Sequence, residues 1–153
     1  MRILGVDFAA TTGFCILESG KDRYPTFLRS VKFPSGPMNE GKRYFEFGYY
    51  LESLLFEVDA VVFEEPGFFR GRSASQQNSG YRAILMSACE KRVKPYASVP
   101  VTTLKKYMGV DSKEAMVETV KAMILNDQEV EDDNAADAYA LAHYGLLEME
   151  FGE

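Results

Sequence analysis

At 153 residues, 46% hydrophobic and 26% charged, the chain has the size and make-up of one globular domain. No apolar run approaches the ~20 residues that a bilayer span needs. Met1–Asp7 also lacks the regions of a signal peptide, so a cytoplasmic protein with no membrane partner is expected. Cys15 and Cys89 lie in apolar surroundings without metal-ligand spacing and read as buried free thiols of a reduced compartment. The net charge of −6 hides an uneven distribution. Residues 1–65 carry net −3, residues 66–113 net +7 and residues 114–153 net −10. A basic centre before an acidic end suggests a local polyanion-binding face, although solvated helix faces would give the same counts.

Arg2 to Asp7 is a short apolar run ending in an acid and reads as a first strand. A turn over Ala10–Gly13 leads into a second strand, Gly13–Leu17, and Thr26–Phe33 reads as a third. The breaker cluster Pro34–Pro37 precedes a helix over Asn39–Val58, where Tyr44, Phe47, Leu51, Leu54, Leu55 and Val58 recur at helical spacing. Asp59–Glu64 reads as a buried central strand, again ending in an acid. A loop rich in Gly, Phe and Arg follows over Pro66–Ser75, then a helix over Gln76–Arg92. Tyr96–Val99 reads as a short strand and Thr102–Met108 as a short helix closed by Gly109. Ser112 suits the N-cap of a helix over Lys113–Asn126, and a last helix starts near Asp133 and runs through Tyr144. This order predicts an α/β fold of three layers, a mixed sheet flanked by helices.

Four acidic positions are spread along this order: Asp7, Glu64, and a pair inside Asp133-Asn134-Ala135-Ala136-Asp137. Asp7 and Glu64 each end a strand-like run, and ligands of open α/β sheets sit at the carboxyl ends of parallel strands. Asp133 and Asp137 are i,i+4 on a helix and Asn134 and Asp137 are i,i+3, so either pair shares a face. Ala135, Ala136, Ala138, Ala140 and Ala142 keep that helix slim enough to approach a sheet closely. Carboxylates gathered at one point repel unless a cation sits among them, and oxygen donors suit Mg²⁺ or Mn²⁺. Two such ions about 4 Å apart form the usual phosphodiester-cutting arrangement. Taken singly, each acid also has a structural reading. Asp7 suits a turn, Glu64-Glu65-Pro66 a solvated strand end, and Asp132-Asp133 a helix cap. His143, the one histidine, suits a structural or surface role as well as a supporting one.

Ile3-Leu4-Gly5-Val6-Asp7 followed by Thr12-Gly13-Phe14 resembles the opening strand and turn of RuvC-like Holliday junction resolvases. Val62-Phe63-Glu64-Glu65-Pro66 resembles their second acidic strand. Leu104-Lys105, Gly109 and Ser112-Lys113-Glu114-Ala115-Met116 are similar to the family's lysine-bearing segment. Asp133 to Ala142 is similar to its closing helix. The resemblance covers nearly the whole chain and implies an RNase H-like domain over 1–153 with a mixed five-stranded sheet. It further implies a homodimer, a divalent-metal endonuclease, and symmetric nicking of four-way DNA junctions, with no small-molecule cofactor. In a chain this short it suggests a bacteriophage-encoded member. Carried over by position, Asp7, Glu64 and Asp137 match metal-ligand carboxylates, Lys113 a lysine near the scissile phosphate and Lys105 a DNA-contacting lysine. Phe68 or Phe69 matches an aromatic that stacks on junction bases. The departure is Asn134, where the family has Asp or His three residues before the final Asp. Asp133 offers the charge in its place. Asn134 can also ligate through its amide oxygen, or can be an introduced substitution.

Beyond these matches, Arg70, Arg72, Arg82, Lys105, Lys106 and Lys113 are the expected phosphate contacts, and Phe68 and Phe69 the expected base contacts. Lys91, Arg92 and Lys94 suit a helix C-terminus as well as DNA. Tyr44, Phe45, Phe47, Tyr49 and Tyr50 exceed one buried stripe and are expected to serve a dimer interface. Three other readings remain open: an actin-like or sugar-kinase ATPase, which needs a second domain, a junction-binding protein that no longer cuts, and an RNase H-like nuclease acting on forks, flaps or hybrids.

Overall fold

Five apolar segments form strands: β1 (Arg2–Asp7), β2 (Thr11–Glu18), β3 (Phe27–Lys32), β4 (Ala60–Glu65) and β5 (Tyr96–Pro100). The computed structural model describes residues 1–21, 24–65, 72–124 and 130–151, without the side chains of 72–75. The strands pair in the order β3-β2-β1-β4-β5. The short connections after β1 and β2 allow antiparallel pairing, while helical crossovers make β1–β4 and β4–β5 parallel. The helices are α1 (Glu40–Leu55), entered through a single 3₁₀ turn at Pro37–Asn39, α2 (Arg72–Arg92), α3 (Val101–Met108), α4 (Lys113–Ile124) and α5 (Asp133–Glu148). Among the described residues no helix is long and apolar enough to cross a membrane.

Strand alternation divides the core in two. Leu4, Val6, Phe14, Ile16, Val61 and Phe63 face one side and bury Phe47, Leu51 and Leu55 of α1 with Tyr81 and Leu85 of α2. Ile3, Cys15, Leu17, Ala60, Val62 and Val99 face the other, against α5, with Leu104 of α3 and Met116, Val120 and Ile124 of α4. The three-layer α/β fold is therefore as the sequence predicts. Both cysteines are buried and free, and burial pushes the Cys89 thiol up to about 12.

Several boundaries differ from the sequence reading, α1 among them, which ends at Leu55 instead of Val58. Thr11 to Gly13 belong to β2, because β3 extends to Lys32 and pairs with them, and the turn closes earlier, with the Thr12 hydroxyl donating to the Ala9 carbonyl at 2.9 Å. Helix α2 starts at Arg72 instead of Gln76, since 72–79 contain neither Gly nor Pro. Helix α5 continues past Tyr144 to Glu148. The end of α2 is also unusual. Val93 adopts φ 54°, and the Lys94 N–H donates to the Cys89 carbonyl at 2.9 Å. This is a helix stop at which glycine is the ordinary residue.

Candidate active site

The acids meet because of strand register and three glycines. Along β1, Ile3, Gly5 and Asp7 share the face toward α5, as do Ala60, Val62 and Glu64 along β4. The two strands are parallel neighbours with Val6 beside Phe63, so the next residues, Asp7 and Glu64, leave the sheet side by side. Helix α5 then lies directly on this face. A Cβ on Gly5 would stand 2.1 Å from the Ala138 carbonyl oxygen, and one on Gly13 would stand 2.0 Å from that of Asn134. Farther along, a Cβ on Gly145 would come within 2.5 Å of a Val62 methyl. Glycine at 5 and 13 lets backbone touch backbone, glycine at 145 admits the Val62 side chain, and the close approach sets Asp137 beside the two strand acids.

The first turn of α5 is anchored separately. Asp132 is its N-cap and accepts from the Ala135 N–H at 2.9 Å. The Ser30 hydroxyl of β3 donates to the same carboxylate oxygen at 2.5 Å. Asp132 is thus the helix cap, while Asp133, Asn134 and Asp137 line the cleft. Ser30 was missed by sequence reasoning, since a serine in an edge strand carries no local signal. Ser112 caps α4 as expected, accepting from the Ala115 N–H at 3.1 Å.

The cleft holds about 230 Å³ and is lined by Asp7, Glu64, Lys105, Lys113, Asp133, Asn134 and Asp137, with an apolar floor that includes Phe8, Leu104 and Met116. Asp7 is 5% exposed, and Asp7 and Glu64 lie within hydrogen-bonding reach of each other. Burial holds the Asp7 carboxyl well above the usual carboxylate range, and the charges of Glu64 and Asp137 add to it. Glu64 is raised by burial, partly offset by its hydrogen bond to Asp7 and by Lys105 and Lys113. Asp137 is pushed up to about 7 by burial, then by Glu64 and Asp133, against the pull of the same lysines. Lys113 pairs with Asp133 at 3.6 Å.

This donor set fits a hard divalent cation: carboxylate oxygens and one amide, crowded and short of positive charge. Among the described residues no three His, Cys, Asp or Glu side chains already form a cage around one point. Burial, joined at Asp7 by repulsion, favours the neutral forms of Asp7 and Glu64, and a cation among them would favour the charged forms.

The other expected site residues are placed as follows. Lys106 is exposed and lies outside the cleft lining, next to Lys105 on α3. Arg82 lies on the far face of the sheet, its guanidinium 5.9 Å from the centre of the Phe63 ring. Phe68, Phe69 and Arg70 lie outside the described residues, as does the side chain of Arg72. The aromatic row divides: Phe47 is buried, Tyr50 packs on Phe14 and Tyr44 on Tyr81, while Phe45 and Tyr49 are 73% and 74% exposed. His143 is buried, with Nδ1 2.9 Å from the Tyr107 hydroxyl.

No protein-family model and no curated protein matches this sequence. Solved structures do match the fold. Thermus thermophilus RuvC in complex with a Holliday junction substrate superposes with a TM-score of 0.78 at 19% identity, over 94% of this chain and 91% of its own. A further structure of RuvC from the same organism gives 0.76 at 19% identity, over 94% and 92%. The yeast mitochondrial Holliday junction resolvase Ydc2 gives 0.67 at 15% identity, over 92% and 75%. The sheet order, the helical layers and these superpositions together establish that the chain has the RNase H-like fold of the RuvC-type resolvases.

Proposed function

We propose that this chain is a divalent-metal-dependent endonuclease that resolves four-way DNA junctions, nicking two strands symmetrically as a homodimer. The observation that carries the reading is the convergence of Asp7, Glu64 and Asp137 in one cleft beside Lys105 and Lys113. Bound Mg²⁺, or Mn²⁺ in its place, would supply an activated water and charge stabilisation at phosphorus. Asp7, Glu64 and Asp137 would hold the metal, with Asn134 offering a neutral oxygen and Asp133 a carboxylate already paired with Lys113. Lys105 and Lys113 would draw the phosphate toward the acids and balance the charge that develops on it. Around the cleft, exposed Lys106 would add sequence-blind phosphate contact, and affinity would fall steeply with salt.

Two cuts need two copies of the cleft, and a two-fold junction suits a two-fold protein. Phe45 and Tyr49 stack at 6.4 Å beside an open groove of about 500 Å³ that includes Gly48, Ile84 and Ala88. We assign the dimer contact to this face. Phe45→Glu should turn a dimer into a monomer in light scattering, and a wild type that stays monomeric at micromolar concentration would remove the assignment.

The deciding experiment incubates the protein with labelled four-way junction, fork, duplex and RNA–DNA hybrid in Mg²⁺ and in Mn²⁺. Junction cutting that disappears in Asp7→Asn is the expected result, and an unchanged Asp7→Asn sinks the assignment. A second reading rests on Asn134, which brings one negative charge fewer than Asp would. Tight junction binding without cutting in either metal would favour it. Preferential cutting of forks or hybrids would keep the chemistry and change the substrate.

A further inference from the structure

We infer that the Tyr107–His143 hydrogen bond is a positioning device that holds Lys105 over the acids, an inference that rests on the nuclease reading. Helix α3 has eight residues, and Leu104 is its one buried side chain. Helices that short do not persist alone, so tertiary anchors decide where α3 lies. It supplies Val101, Leu104 and, from the start of its last turn, Lys105 to the cleft. In its last turn the Tyr107 hydroxyl meets His143 Nδ1 at 2.9 Å, and the Tyr107 ring stands edge-on to Tyr144 at 5.0 Å. His143 is 9% exposed and stacked on Tyr139 at 5.8 Å, so the imidazole is a firm partner.

His143 and Asp137 ride on the same helix, six residues or about 9 Å apart. A polar bond, here partly buried, is directional in a way that an apolar contact is not. The Tyr107–His143 bond therefore fixes how α3, two residues on from Lys105, registers against α5, which carries Asp137. Small errors in such a register are costly for a cutting site, because reactive groups must meet within a fraction of an ångström. Tyr107 and His143 are not among the residues that line the cleft, so their effect on cutting would run through Lys105.

The test is a double-mutant cycle on junction cutting under single-turnover conditions. Tyr107→Phe keeps the ring and removes the hydroxyl, and should slow cutting about fivefold. Junction affinity measured in Ca²⁺ should stay unchanged. In a Lys105→Ala background the same change should cost nothing, since the group being positioned is gone. His143→Asn, whose amide oxygen can accept near the place of Nδ1, should keep most of the rate, and His143→Leu should not. A Tyr107→Phe that costs the same with and without Lys105 would show packing alone and overturn the inference. Hydrogen exchange of the metal-free protein supplies a readout that needs no cutting. Amides 104–108 should exchange faster in Tyr107→Phe, and equal protection would also overturn it. A wild type that cuts no substrate would defeat the nuclease reading, and exchange would then decide the anchoring by itself.

Discussion

Replacing Asp137 with Asn should stabilise the metal-free protein at alkaline pH. The Asp137 carboxyl is pushed from 3.8 up to about 7, first by burial and then by Glu64 and Asp133. A raised folded pKa means that the folded state holds this proton more tightly than the unfolded chain does. The contribution to stability is then full below pH 4 and is lost as pH rises from about 4 to about 7. At about 1.4 kcal/mol per unit the shift sets a ceiling of about 4 kcal/mol. Asp7 and Glu64 share the same field, so one substitution recovers only part of it, about 2–3 kcal/mol. For a domain of this length that is roughly 5–10 °C in Tm. Scanning fluorimetry in EDTA, from pH 4 to pH 8, reads it directly. The two proteins should melt close together at pH 4, and the variant should pull ahead as pH rises. Mg²⁺ at pH 8 should then raise the wild type more than the variant. An Asp137→Asn that melts at or below the wild type at pH 8 in EDTA would refute the reasoning.

Three further substitutions probe backbone contacts and helix ends, the first two beside the site. Gly13→Ala places a methyl against the Asn134 carbonyl at 2.0 Å. It should cost about 3 kcal/mol or more in urea unfolding, because backbone must yield to make room. Asp132→Ala removes the α5 cap and the acceptor of Ser30, and should cost about 1–2 kcal/mol in the same measurement. Val93→Gly should raise stability by about 0.5–1 kcal/mol, the relief of a left-handed β-branched residue less the added freedom of the unfolded chain. A loss of stability there would mean that the exposed valine makes a contact worth more than its strain.

Much of the fold can be read along the chain because its signals are local. The apolar runs of Arg2–Asp7 and Asp59–Glu64, helical spacing through Tyr44–Val58 and the caps at Ser112 and Gly109 are all set by neighbours within a few residues. The error at Thr11–Gly13 arose where a local turn pattern competed with a ladder to β3, a partner some twenty residues away. The same distinction runs through the site. Asp7, Glu64 and Asp137 stand out as acids at element ends, and residue type alone marked them as candidates. Their meeting depends on the β1–β4 register and on Gly5 and Gly13 admitting the α5 backbone, which no single segment encodes. Asn134 and Asp133 could not be ranked along the chain, and folding gives them different surroundings. Asp133 pairs with Lys113, while the Asn134 carbonyl is pressed toward β2 at Gly13. Ser30 and Tyr107 carry no signal in their own stretches, because each matters only through a partner on α5.

The amino-acid order by itself thus determined the element types, the acidic set and the lysines, since hydrophobic period and side-chain chemistry are local properties. Only the tertiary structure decided that the acids share one cleft, that Asp132 is a cap and that Arg82 lies across the sheet from them. Those outcomes follow from packing between segments far apart in sequence, where contact distance, and not residue type, sets the result.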